Sequence, residues 1–323
     1  NESEERYTDR DRKINYDKES YNIESTGLSV IGFNYYRQLL YCQIPNLTLL
    51  KDLNSPATSG SINNNLTSSY SKFVIIGDIN IGYYLSKSKP EVAGRNQEDS
   101  SILGTIQPNT KLYDAELGDV PVENAKYASL IIDAQNSTFK NLILKRNVKL
   151  IEQIKGMEGS EATITIKNLN FDSVTINGVT GLIGAIDAKT TLNNITFKNG
   201  TTATVKTENY VLDKSKDEYY NLYWNDSTQS YTNVIGIMVG KNEGTITNCK
   251  FLANIVTNDG AEGSYALGGF VGYNTGYGVV EKSKFNGNVY ISEDFKDEKG
   301  RVKNLDLQVV FGSFVAINDE NAK

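Results

Sequence analysis

The chain has 323 residues, with 39 acidic and 33 basic side chains, a net charge of −6 and no histidine. Its cations are scattered, which excludes the concentrated basic face of a nucleic-acid footprint. Without imidazole there is no Ser/His/Asp or Cys/His nucleophilic machinery, no His-bearing zinc site and no H-E-x-x-H metallopeptidase helix.

Residues 1–24 are dense in charge and lack apolar periodicity, which predicts a solvated lead-in. Residues 25–101 read as an N-terminal cap with loops. Within them, TGLSVIGFNYYRQLLYCQIPNLTLL predicts a strand pair or a short helix closing the end of a stacked core. SKFVIIGDINIGYYL predicts a strand–turn–strand with Gly77 and Asp78 at its corner. From about residue 102 to 323, short apolar–polar alternations run between Asn-rich corners. In ATITIKNLNFDSVTI the inward set is Ile164, Ile166, Leu169, Phe171, Val174 and Ile176. Cys42 and Cys249 are the two cysteines. Their spacing gives no support to a bridge, and Cys249, beside a phenylalanine, reads as a buried thiol. No apolar run approaches the length of a membrane span. Asn1 in place of Met, and a last unit that reads as unfinished, predict a piece of a longer protein.

Four stretches end a strand-like run on a small residue: TGLIGAI, IGIMVGK, GGFVGYN and FGSFVAI. Taking Gly184, Gly240, Gly272 and Ala316 as equivalent, the steps are 56, 32 and 44 residues. Phe197, Phe251 and Phe285 follow their glycines by 13, 11 and 13 residues, as stacked core aromatics would. A repeated unit that cannot bury its own apolar face predicts a solenoid. The reading is an all-β, right-handed parallel β-helix with projecting loops and an atypical N-terminal cap. An antiparallel sandwich is the rival, since closely spaced turns also describe it.

GGFVGYNTGYGVVEKSKFNGNVY resembles a GLUG motif, the glycine-rich repeat of bacterial surface adhesins and of immunoglobulin-A-cleaving metallopeptidases from Gram-positive bacteria. NVIGIMVGKNEGTITNCKFLANIV and, more loosely, TGLIGAIDAKTTLNNITFKNGT are similar to it. The resemblance covers about residues 178–318 and implies a structural rung on a secreted, cell-surface bacterial protein, with no chemistry attached. In overall character the Asn-, Lys- and Tyr-rich chain is also similar to the tāpirins, cellulose-binding surface proteins.

β-Helices also carry lyases and hydrolases, which need clustered carboxylates. Here Asp133, Asp172 and Asp187 are singletons on rung-like segments. Asp213, Asp217 and Glu218 cluster only in a lysine-interleaved loop, where the one metal option is a weak Ca²⁺ site. The expectation is a non-enzyme with no cofactor and no catalytic or metal-binding residues. GGFVGYNTG lacks the Gly-Lys-Ser/Thr ending of a phosphate loop, so its glycines serve corners and close stacking.

The insertion at about 201–232 carries Tyr210, Tyr219, Tyr220, Tyr223, Trp224 and Tyr231. Tyr273 and Tyr277 sit in a later turn. Aromatic faces stack on the C–H faces of pyranose rings, which makes these eight the candidate ligand-binding residues. The insertion reads equally as a β-hairpin packing on the solenoid flank. The functional expectation is a monomeric extracellular adhesin that binds insoluble polysaccharide, cellulose first, through exposed aromatics and a flat β-helix face, with a structural or host-protein-binding stalk of a larger bacterial surface protein, such as a metallopeptidase, as the alternative.

Overall fold

The computed structural model describes residues 14–15, 41–54, 66–85, 101–111, 126–145, 148–177, 181–206, 222–225, 230–258, 265–291 and 309–323. The chain winds as a parallel β-helix, each coil laying one strand onto each of several sheets. The sheets are numbered I to IV in the order a coil crosses them.

Sheet III is the longest ladder. It begins with Tyr41–Ile44, runs parallel through Lys72–Ile75, Leu130–Asp133, Ile164–Phe171 and Thr190–Phe197, and ends at Val279–Glu281. At its start Ile14–Asn15 pairs antiparallel with Tyr41–Ile44. Sheet II stacks six strands, from Thr105–Ile106 through Ile151–Ile154, Ile183–Ile186, Val239–Asn242 and Val271–Asn274 to Val315–Asn318. Sheet IV stacks six more, from Tyr83–Leu85 to Val289–Ile291. Sheet I is a late addition of four strands, Leu222–Asn225, Ser230–Gly236, Tyr265–Gly268 and Val309–Gly312. The parallel ladder therefore reaches back to Tyr41–Ile44, within the segment read as a cap.

Two local devices make the coils. The first is an asparagine corner inside sheet III. In Ile164–Phe171 and Thr190–Phe197 the buried positions are the first, third, sixth and eighth, so the alternation slips by one in the middle. At the slip Asn168, Asn194, Asn248 and Lys282 stack in register, all with φ between 50° and 59°. Asn tolerates this left-handed conformation better than other L-residues because its short amide bonds locally. Asn194 Nδ2 donates to Asn168 Oδ1 at 2.8 Å, and Asn168 Nδ2 donates to Asp133 Oδ1 at 2.9 Å.

The second device is the aromatic column past that corner. Phe139, Phe171, Phe197, Phe251 and Phe285 are successive ladder partners. Ring centroids lie 5.0, 4.5 and 5.3 Å apart along the last four, nearly parallel. The Phe139–Phe171 contact is edge-on. The predicted inward set from Ile164 to Ile176 is buried throughout.

At the N-terminal end the cap segment forms Tyr41–Ile44 followed by the helix Leu47–Lys51. Asn46 caps that helix by accepting from Leu49 N at 3.0 Å, and Leu49, Leu50 and Leu53 close the core. Cys42 and Cys249 are both buried, and neither is in a disulfide. Cys42 lies five ladder steps from Ile246, close to Cys249, roughly 24 Å at the usual spacing, so a bridge is geometrically excluded.

Candidate functional site

Sheets I and II meet across glycine. Gly236 and Gly240, Gly268 and Gly272, and Gly312 and Ala316 each bracket a three-residue spacer whose turn folds one strand over the next sheet. A Cβ on Gly236 would overlap Val239 O and Gly272 N, and one on Gly268 would overlap Val271 O. A Cβ on Gly272 would stand 2.8 Å from Gly240 O and 2.9 Å from Gly236 N. The backbones approach as closely as they do only because nothing but hydrogen stands between them.

The register confirms the equivalence read from spacing: Ile183, Val239, Val271 and Val315 align, so Gly184, Gly240, Gly272 and Ala316 form one column. One coil earlier the column holds Glu152 instead. Its carboxylate accepts from the buried Lys149 Nζ at 3.1 and 3.2 Å. A Cβ on Gly184 would stand 3.1 Å from Lys149 Cδ, so the next glycine makes room for that side chain. The sequence offers no signal for this substitution.

From sheet II the chain turns into sheet III over a buried amide column. Ile186, Asn242, Asn274 and Asn318 align in register, the first three buried and Asn318, at the end, exposed. Asn242 Oδ1 accepts from Gly244 N at 3.0 Å, and Asn274 Nδ2 donates to Gly278 O at 3.1 Å. These bonds pin the turns from inside. On the outside of the second turn stands Tyr277, 83% exposed, while Tyr273 is half-buried at the strand that leads into it.

Residues 263–290 match the family model described as the GLUG motif. No curated protein matches the chain, and no solved structure does. The likeness to tāpirins thus finds no support. On the structure the GLUG match is one complete coil, from Tyr265–Gly268 on sheet I to Tyr290 on sheet IV. The motif's glycines are the sheet I–II contact, its Asn274 the buried pin, and its Phe285 a member of the aromatic column. The coil before it, Ser230–Asn258, repeats each part in register.

The remaining candidates divide. Leu222–Asn225 returns antiparallel against Ser230–Gly236, with Tyr223 opposite Thr232 and Trp224 opposite Tyr231. Leu222–Asn225 thereby takes the first edge of sheet I. Tyr210, Tyr219 and Tyr220 lie outside the described residues, as do Asp213, Asp217 and Glu218. Among the described residues no three His, Cys, Asp or Glu side chains gather to hold a metal.

The carboxylates of sheet III are tied up structurally. Burial pushes the Asp133 carboxyl up, but bonds from Asn168, Gln135 N and Lys167 outweigh it and hold the group below the usual range. Lys140, 2.6 Å away, together with Thr138 N, likewise lowers Asp78. Burial pushes the Cys249 thiol up to about 11, so it is no nucleophile.

Among the described residues, sequence reasoning missed three exposed tyrosines, of which Tyr41, 45% exposed, lies on sheet III. Tyr83 and Tyr290, 59% and 51% exposed, both belong to sheet IV. A signal for Tyr290 existed: it follows Phe285 by five residues, as Val256 follows Phe251.

Proposed function

We propose that this chain is a non-catalytic segment of an extracellular bacterial surface adhesin, which binds insoluble polysaccharide, cellulose first, through exposed aromatic side chains. The observation that carries the reading is Tyr277, an 83% exposed ring on a turn fixed from within by Asn274. An exposed ring on a rigid mount loses little entropy on stacking, which suits many weak contacts to a repeating polymer. Tyr273 and the hairpin residues Tyr223, Trp224 and Tyr231 belong to the same proposed platform, with Tyr210, Tyr219 and Tyr220 in its insertion.

The test is a pull-down of the chain on microcrystalline cellulose beside Tyr277→Ala and a Tyr223→Ala/Trp224→Ala double variant. Binding that the variants weaken supports the adhesin. No binding by the parent to cellulose or any other neutral glycan rejects it. That result would favour a second reading, a stalk of a larger surface protein such as a metallopeptidase, for which the stiffening phenylalanine and asparagine columns speak.

A further inference from the structure

Three Asn–Gly dipeptides occur in the chain, Asn177–Gly178, Asn199–Gly200 and Asn286–Gly287. Gly178 lies outside the described residues, and the other two pairs stand in opposite environments. Asn199 and Gly200 are the exposed tip of the corner between Thr190–Phe197 on sheet III and Thr202–Lys206 on sheet IV. That corner is longer than those stacked on it: residues 198–202 join the ladder positions that 252–254 and 286–288 join later. Its base is tied down. Lys198 N donates to Phe171 O at 3.0 Å, and Thr201 Oγ1 donates to Lys198 O at 2.6 Å. Its tip is free: among the described residues, neither the Asn199 side-chain amide nor Gly200 N has a hydrogen-bond partner. Gly200 has a φ of 75°, and nothing lies within 4 Å of where its Cβ would stand.

Asn286–Gly287 occupies the matching corner two coils on, and there the backbone is held. Asn286 N donates to Phe251 O at 2.8 Å, and Asn288 N donates to Asn254 Oδ1 at 3.1 Å. A Cβ on Gly287 would overlap Ala253 O, so this glycine is pressed onto the preceding coil.

We propose that Asn199 is a self-modification site, at which the folded chain converts its own side-chain amide to a carboxylate in water. Gly200 N attacks Asn199 Cγ, and the N–Cγ bond forms as the Cγ–Nδ2 bond breaks. Nδ2 leaves as ammonia, taking up through solvent the proton that Gly200 N gives up. Water then opens the cyclic imide at either carbonyl, leaving aspartate or its β-linked isomer. The balance is water in and ammonia out, with nothing oxidised or reduced. Nucleophile and electrophile sit on adjacent residues, so the attack is intramolecular. A glycine with open space around it lets its nitrogen swing onto Cγ. At Asn286 the same swing has to break the bonds of Asn286 and Asn288 to the neighbouring coil first, which is a local opening.

The test incubates the whole chain at mildly alkaline pH, folded and in urea. Mass spectrometry follows the peptides that hold Asn199 and Asn286. In the folded chain Asn199 converts at least about tenfold faster than Asn286, because only the latter waits for an opening. In urea the two rates converge. Equal rates in the folded chain, or conversion of Asn199 only in urea, would overturn the proposal.

Discussion

Asn242 Nδ2 donates to Asn274 Oδ1 at 2.7 Å, and both amides are shut away from solvent. Each amide has a second partner in its own turn, Gly244 N for Asn242 and Gly278 O for Asn274. A buried amide with all partners in place specifies register, because a slip by one residue strands every group at once. The column tolerates hydrocarbon where no amide faces it, as Ile186 demonstrates one coil earlier.

Asn274→Leu therefore costs about 2–4 kcal/mol, most of it from orphaning the buried Asn242 donor, since the Gly278 carbonyl keeps its bond from Lys323 N. Asn242→Leu costs a similar amount. The double Leu variant loses less than the sum, since the second change removes a group the first had stranded. Urea unfolding of the four proteins checks this, and strict additivity would sink the idea of one coupled column.

The glycine contact predicts a sharper penalty. Gly236→Ala forces Cβ onto Val239 O and Gly272 N, backbone atoms held by two sheets that cannot both retreat. The expected loss is about 3 kcal/mol or more, at the upper end of overpacking. Gly200→Ala meets no atom within 4 Å and suffers only from its φ of 75°, for roughly 1–2 kcal/mol. Equal melting shifts in the two variants would show that conformation, and not close approach, makes the glycines matter.

What the sequence disclosed depended on constant spacing. Gly240 and Gly272 are 32 residues apart and each precedes its phenylalanine at nearly the same distance, so the shared column was readable without coordinates. Glu152 in that column was not readable, because the lysine that neutralises it lies outside the repeating pattern. The stacking of sheet IV was hidden for a different reason. Tyr83 and Ile143 are ladder partners across 60 residues, with connections of irregular length between them, and only the register joins them. The aromatic insertion drew attention as a concentration of rings, yet the exposure of rings depends on which side of a strand faces water, and that is set by tertiary stacking.

The two thiols should be silent. Cys42 and Cys249 are buried, and the Cys249 sulfur donates to Thr247 O and accepts from Ile195 N. With Cys249 pushed up to about 11, almost no thiolate exists at pH 8, and access is blocked besides. Ellman's reagent under native conditions should label neither cysteine within minutes and both after denaturation. Because the folded pKa is raised, the neutral thiol contributes stability that is complete below the unfolded value and fades as pH climbs through about 11. Rapid native labelling of one equivalent would contradict the burial of that thiol.

Acid should loosen the asparagine corner first. Asp133 anchors the amide ladder of Asn168 and Asn194, and its folded pKa lies below the ordinary carboxylate value. A depressed carboxylate contributes stability that is present above its unfolded pKa and is lost as pH falls through the folded one. Melting temperature should accordingly drop as pH is lowered past the ordinary carboxylate range. Asp133→Asn keeps an acceptor for Asn168 and for Gln135 N but gives up the Lys167 ion pair and the titration. Its melting temperature should be slightly lower than the parent's at neutral pH and flatter against pH in the acid limb. Parallel acid limbs for the two proteins would mean that other carboxylates, Asp78 beside Lys140 foremost, control the acid transition.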